Sequence, residues 1–351
     1  MPRVAVFSVG DAGYLPYELV ALNSIKRFNP ACGYVAFVPA AGGQPGRGAW
    51  EAVADRLGIE IREIDFAACF RTRKPHAVWP LESLTWVAAP ALLHRLGYTH
   101  SLYVDGDVLG LRRLDFGPLI DARKSIMGIA NGPASRQLAN TGHVERLLGR
   151  KLAVAHAATN AGVLFLDNRE LVDVDFAARI AGLYDLFWPW GLSELSDQSL
   201  LALYIAAYDH ELGILDPSWN LRLYPDPDGC NYGLLRRYYA GKEVPRIIHF
   251  LGGKPWTDLP TARALYSRYV KGIGLDLWNS ARRARRAAAN EWRRLAVETL
   301  GADAAAAVFG ARVLRPVRTR IPGALHAWVL ECILRHRARK AIRQGRLVRA
   351  A

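Results

Sequence analysis

Apolar runs alternate with amphipathic stretches along most of the chain. VAVFSVG (4–10), GYVAFVPA (33–40) and IEIREIDF (59–66) read as strands, the third with a two-residue alternation. YLPYELVALNSIKRFNP, closed by Asn29-Pro30, and AWEAVADRLG read as the helices between them. LESLTWVAAPALLHRLG reads as one helix with Pro90 near its middle, and SLYVDGDVLG (101–110) as a fourth strand. Further on, SIMGIAN (125–131) and AGVLFLDN (161–168) are strand-like, 176–187 and SDQSLLALYIAA (196–207) helical, and GILDPSWN (213–220) and RIIHFLGGKPW (246–256) strand-like again. Strands interleaved with helices predict an α/β fold, a mostly parallel sheet flanked by helices. Such sheets bind ligands beyond the carboxyl ends of their strands. Asp11, Asp105 and Asp107 all fall at such ends.

Charge divides the chain. Residues 281–351 hold 17 Arg and Lys against 4 Asp and Glu, whereas residues 1–280 hold 29 against 28. A nearly neutral body over 1–272 followed by a basic, aromatic-containing helical extension over 273–351 is the expected organisation. The 351 residues suffice for a sizeable core, and 51% apolar content is that of a folded chain. Cys32, Cys69, Cys230 and Cys332 are scattered without a CxxC pair, which argues against a zinc site or disulfide framework and suits a cytoplasmic location. No apolar stretch has the length of a membrane span, and the apolar run at 4–10 is short for a secretion signal.

Four stretches carry candidate chemistry. Asp105-Gly106-Asp107 could be a surface turn, a phosphatase nucleophile pair or a divalent-cation site, with the glycine allowing close approach. His249 ends an apolar strand before Gly252, Gly253 and Lys254; imidazole can ligate a metal, and Lys254 can offer a point charge to phosphate. A core histidine before a turn fits the same letters. Asn160-Ala161-Gly162 opens an apolar strand with an amide that can read sugar hydroxyls, or simply turns the chain. Ser196-Asp197-Gln198 also reads as the start of its helix.

In this order and spacing, YVDGD, TNAGVLFLDN, SDQ, LDPSWN and HFLGGKPW resemble the family 8 glycosyltransferases, the group of glycogenin and the bacterial lipopolysaccharide galactosyl- and glucosyltransferases. The resemblance runs from residue 4 to about 270. It implies a GT-A fold, a Rossmann-like sheet, a UDP-hexose donor, Mn²⁺ or Mg²⁺, and transfer with retention to a glycan or glycolipid acceptor. By the resemblance, Asp105, Asp107 and His249 are metal ligands. Gly252 and Lys254 hold the donor diphosphate, with Gly106 beside them. Asp11 and Tyr14 contact the nucleoside, the Tyr14 ring stacking on uracil. Asn160, Ala161, Gly162, Asp197 and Gln198 surround the donor sugar, Asp197 and Gln198 nearest the reaction. Asp216 and Trp219-Asn220 give structural support. Trp86 stands where the family often has an arginine and is expected to pack, and only Gly253 separates Gly252 from Lys254. A haloacid-dehalogenase-type phosphohydrolase and a non-catalytic nucleotide-sugar-binding domain are the competing readings. The tail suits an anionic membrane surface, as in basic C-terminal segments of lipopolysaccharide-type members, and no nucleic-acid partner is expected.

Overall fold

The computed structural model describes residues 3–11, 13–40, 47–65, 70, 81–133, 137–138, 141–151, 157–187, 196–223, 232–251, 254–255 and 275–310. The first strands and helices lie where the hydrophobic pattern puts them: β1 (Val4–Val9), α1 (Leu15–Lys26), β2 (Gly33–Pro39), α2 (Arg47–Leu57) and β3 (Glu60–Ile64). The stretch around Pro90 is not one helix. A 3-10 turn over Leu81–Ala88 gives way to α3 (Ala89–Arg95), with the proline in the first turn of α3. Proline lacks an N–H and clashes with the preceding turn, so it starts a helix more readily than it continues one. SLYVDGDVLG also divides, into β4 (His100–Val104) and β5 (Val108–Gly110), which belong to different sheets. Asp105-Gly106-Asp107 is the link between them.

The large sheet, completed by β6 (Ile126–Pro133), β7 (Ala157–Asp167) and β8 (Gly213–Ile214), has the order β3-β2-β1-β4-β7-β6-β8. Every pairing is parallel except those of β7 with β4 and β6. The small sheet has the order β5-β10-β9, with β9 at Leu221–Arg222 and β10 at Ile247–His249. α4 (Phe176–Phe187) and α5 (Ser196–Ala207) cover one face of the large sheet in a core shared with Phe7, Tyr103 and Trp86. α1 covers the other face, in a second core.

The second core includes the start of the basic extension. α6 (Leu275–Leu300) and α7 (Ala302–Phe309) bury Ala288, Ala289, Trp292, Leu295, Ala296, Leu300 and Phe309. These positions recur at helical spacing, so α6 presents an apolar stripe to the body. The start of the basic extension thus packs on the body, with Arg294 and Glu298 on its exposed face. Arg27 pairs with Glu291 at 3.2 Å, and Arg56 donates to the Thr299 carbonyl at 2.6 Å. Among the described residues no helix is long and apolar enough to cross a membrane. The interrupted apolar stretch IPGALHAWVLECIL (321–334) and the basic residues from 311 onward lie outside them.

Candidate active site

The site forms where β1, β4, β6 and the start of β7 reach the same sheet edge and the small sheet closes over it. Asp107 has a side chain 2% exposed and Asp105 one 32% exposed. Asp105 is tied down twice: its N–H donates to the Gly162 carbonyl at 3.0 Å, and the Tyr103 hydroxyl donates to its Oδ1 at 2.7 Å. The Asp107 carbonyl accepts the Phe250 N–H at 3.0 Å, which stitches the aspartate link to the end of β10. The antiparallel register of β10 on β5 places His249 opposite Val108, beside both carboxylates.

His249 Nε2 lies 3.1 Å from Asp107 Oδ1 and 3.4 Å from Asp105 Oδ2. Nε2 is buried and makes no hydrogen bond of good geometry with either. One ligand atom from each of the three residues lies within 4.8 Å of the others. Two carboxylates and an imidazole nitrogen around one point suit a divalent cation such as Mn²⁺. Gly162 completes the cradle: a Cβ there would collide with the His249 ring and meet Asp105 Oδ2 at 2.7 Å.

The charges are matched within the site. Burial pushes the Asp107 carboxyl up, but His249 and then Lys254 outweigh it and hold the group well below the usual carboxylate range. Lys254 Nζ donates to Asp107 Oδ2 at 2.5 Å. Burial likewise disfavours the His249 cation, yet Asp107 and then Asp105 raise the imidazole to about 9. Asp197, in the first turn of α5, is raised to about 6 by burial and then by the charge of Asp105.

The other expected residues that are described lie around this edge, with Ala161 turned into the core. Asp11 is exposed, and its Oδ1 accepts the Tyr14 N–H at 2.8 Å in the turn before α1. The Tyr14 ring stacks on Tyr17, centroids 4.9 Å apart, and presses on Gly106, where a Cβ would lie 2.6 Å from Tyr14 Cε1. Burial and then Asp107, Asp105 and Glu18 push the Tyr14 phenol up. Asn160, Ala161 and Gly162 occupy an irregularity in β7: Gly128 of β6 pairs with Leu164 and the next residue, Ile129, with Asn160. Such a bulge re-aims side chains at a sheet edge. Ala161 puts its methyl in the core. Gln198 Oε1 accepts Asn131 Nδ2 at 3.3 Å, and Asn131 Oδ1 accepts Arg222 Nη1 at 2.9 Å. Gly252 lies outside the described residues.

Trp86 is 1% exposed and stacks on Tyr103 at 5.7 Å. It packs beneath Asp105, through the ring that donates to that aspartate. Tyr103, Asn131, Arg222 and Arg293 were not singled out from the sequence. Tyr103 had a readable signal, since residues two apart on a strand share a face. Asn131 had a weaker one, at the carboxyl end of a strand. Arg222 and Arg293 had none, because their partners are distant in sequence.

No family model and no curated protein matches the sequence. Solved structures match it by shape. The bifunctional glycosyltransferase WbbM superposes with a TM-score of 0.52 at 14% identity, over 80% of this chain and 51% of WbbM. An active-site mutant of LgtC gives 0.50 at 18% identity, over 80% of this chain and 100% of LgtC. The chain has a GT-A fold. The expected resemblance therefore stands at the level of the fold, with this chain spanning about half of WbbM and the whole of LgtC. In this GT-A fold the Asp105–Asp107–His249 cluster sits beyond the carboxyl end of β4.

Proposed function

We propose that the chain is a retaining hexosyltransferase acting from a UDP-hexose, UDP-galactose or UDP-glucose, onto a hydroxyl of a glycan or glycolipid such as lipopolysaccharide. The observation that carries this reading is the convergence of Asp105, Asp107 and His249 on one point, with Lys254 on Asp107, in a fold shared with glycosyltransferases. Bound by those three residues, Mn²⁺ or Mg²⁺ supplies a Lewis acid that offsets charge on the departing diphosphate.

The chain's own residues divide the remaining work. Lys254 and the Gly252 backbone hold the diphosphate, while Asp11 and Tyr14 take the nucleoside. Asn160, Gly162 and Asp197 border the sugar. Gln198 Oε1 accepts one hydrogen bond, from Asn131 Nδ2, and Gln198 can present its second lone pair and its Nε2 donor. An amide so held is a poor nucleophile. This supports same-face transfer: the C1–O bond to diphosphate breaks, the acceptor oxygen bonds C1 on that face, and its proton passes to the departing phosphate oxygen. Product NMR tests retention, since a β-linkage from an α-linked donor contradicts it.

A screen of UDP-sugars for cation-dependent UDP release without acceptor tests the activity. Phosphate release from a phosphomonoester with no UDP release would favour the phosphohydrolase reading. UDP-sugar binding with no UDP release would favour the non-catalytic reading, which draws on Trp86 standing in place of the family's arginine. Residues 311–351 would attach the enzyme to the anionic inner face of the cell membrane. Liposome sedimentation of the full chain and of a chain ending at 310 tests this, and equal partitioning refutes it. That end point retains α6 and α7, which belong to the core.

A further inference from the structure

We propose that Asn220 is a positioning residue for the cation site: it fixes which nitrogen of His249 faces Asp105 and Asp107. The proposal rests on the cation reading above and follows from a chain of hydrogen bonds with a determined direction. The backbone N–H of Gly162 can only donate, and it lies 3.1 Å from the Asn160 side-chain atom Oδ1, which must therefore be an acceptor. That same oxygen is 2.8 Å from Asn220 Nδ2, and an amide NH₂ is the end of Asn220 that can sit against it. The other end of Asn220 is then its carbonyl oxygen, 3.1 Å from His249 Nδ1. A carbonyl accepts, so Nδ1 carries a proton. With a cation bound, Nε2, the nitrogen facing the carboxylates, is then the lone-pair nitrogen that ligates it.

The local fold serves this direction. Asp216 caps the 3-10 turn Pro217–Trp219 by accepting the Ser218 N–H at 3.0 Å, and Asn220 follows at once. β9 then pairs in parallel with β10, Arg222 opposite His249, so the turn delivers Asn220 to the imidazole. Asn160, Asn220 and His249 are all buried, so bulk water does not stand in for a lost member. Moving the proton from Nδ1 to Nε2, or turning the Asn220 amide, would set two acceptors or two donors against each other. A ligating histidine needs its other nitrogen held by such a partner, and removing that partner typically weakens metal binding about 10–100-fold. The LDPSWN stretch thus does more than support the fold.

The test reads cation binding with no donor sugar and no turnover. Mn²⁺ is titrated into the full chain and the free ion followed by electron paramagnetic resonance. Asn220→Ala should weaken Mn²⁺ binding about 10–100-fold with an unchanged circular dichroism spectrum. A folded Asn220→Ala protein that binds Mn²⁺ within about threefold of the parent overturns the proposal, at odds with the range expected for such partners. If that variant does not fold, ¹⁵N NMR of histidine-labelled parent protein decides, with Zn²⁺ as a diamagnetic stand-in. A protonated Nδ1 and a ligated Nε2 on His249 support the proposal, and ligation through Nδ1 overturns it. A parent protein that binds no divalent cation removes the cation reading itself, which separates that failure from a failure of Asn220.

Discussion

Asp107 and Glu18 are both carboxyls with almost no exposure, at two ends of the same site. Asp107 lies in a rim where His249 and Lys254 converge, and those cations keep it charged against the cost of burial. Glu18 lies in the α1 wall with neither oxygen hydrogen-bonded. Burial, and then the charge of Asp11, pushes it well above its ordinary range, so the neutral acid is favoured. The wall is held by packing: the Tyr14 ring stacks on Tyr17, Tyr17 meets Phe309 edge-on at 4.9 Å, and Phe309 meets Trp292 at 5.0 Å. One region is organised by charge and direction, the other by contact. The first should fail abruptly when a single atom is lost, and the second by degrees.

The largest effect is expected in the rim. Asp107→Ala removes a cation ligand and leaves His249 and Lys254 without their shared partner. Its Mn²⁺ affinity should fall beyond the 10–100-fold typical of outer partners, by more than about 100-fold, with UDP release lost alongside it. Robust transfer in EDTA by this variant contradicts the metal assignment.

In the wall, Trp292→Ala should cost about 3–5 kcal/mol of stability, the usual loss for a fully buried large aromatic. Denaturant titration measures it. A loss under about 1 kcal/mol would mean that α6 is not an integral part of the core. Arg293 joins the two regions: it is buried on α6, and its Nε donates at 2.9 Å to the carbonyl of Pro255, next to Lys254. Arg293→Ala should raise the donor KM about tenfold, near 1.4 kcal/mol, with a smaller change in kcat. An unchanged KM would separate the extension from the diphosphate site.

The most gradual effect, spread over several pH units, concerns Glu18. Its raised value means that the native state holds a proton that the unfolded state has released. Stability from this group is full below the ordinary glutamate range and declines as pH rises toward the native value. The slope is at most about 1.4 kcal/mol per pH unit. Glu18→Gln should remove that decline, so the variant gains on the parent more at pH 8 than at pH 5. Parallel pH profiles would show that Glu18 is charged in the native state.

The two regions also differed in how far they could be read from the sequence. Apolar runs were enough to place β1, β2, α1 and α5, because burial alone dictates them. Asp105, Asp107 and His249 were legible only through the order and spacing they share with a known family, since alone the first two fit a turn and the third a core histidine. The division of SLYVDGDVLG between two sheets was not, since a three-residue strand has too short a pattern to announce its partner. Asn220 looked structural because its role depends on Asn160, sixty residues earlier in the chain. The inner face of α6 was hidden by arginines whose charge dominates composition, while Trp292 and the alanines beside it set the packing.

Calorimetric titration of UDP into the full chain, with Mn²⁺ and then with EDTA, tests the central claim most directly. The account predicts UDP binding that requires the cation and is lost in Asp107→Ala. Equal UDP binding in EDTA, or no binding with Mn²⁺ present, would contradict it.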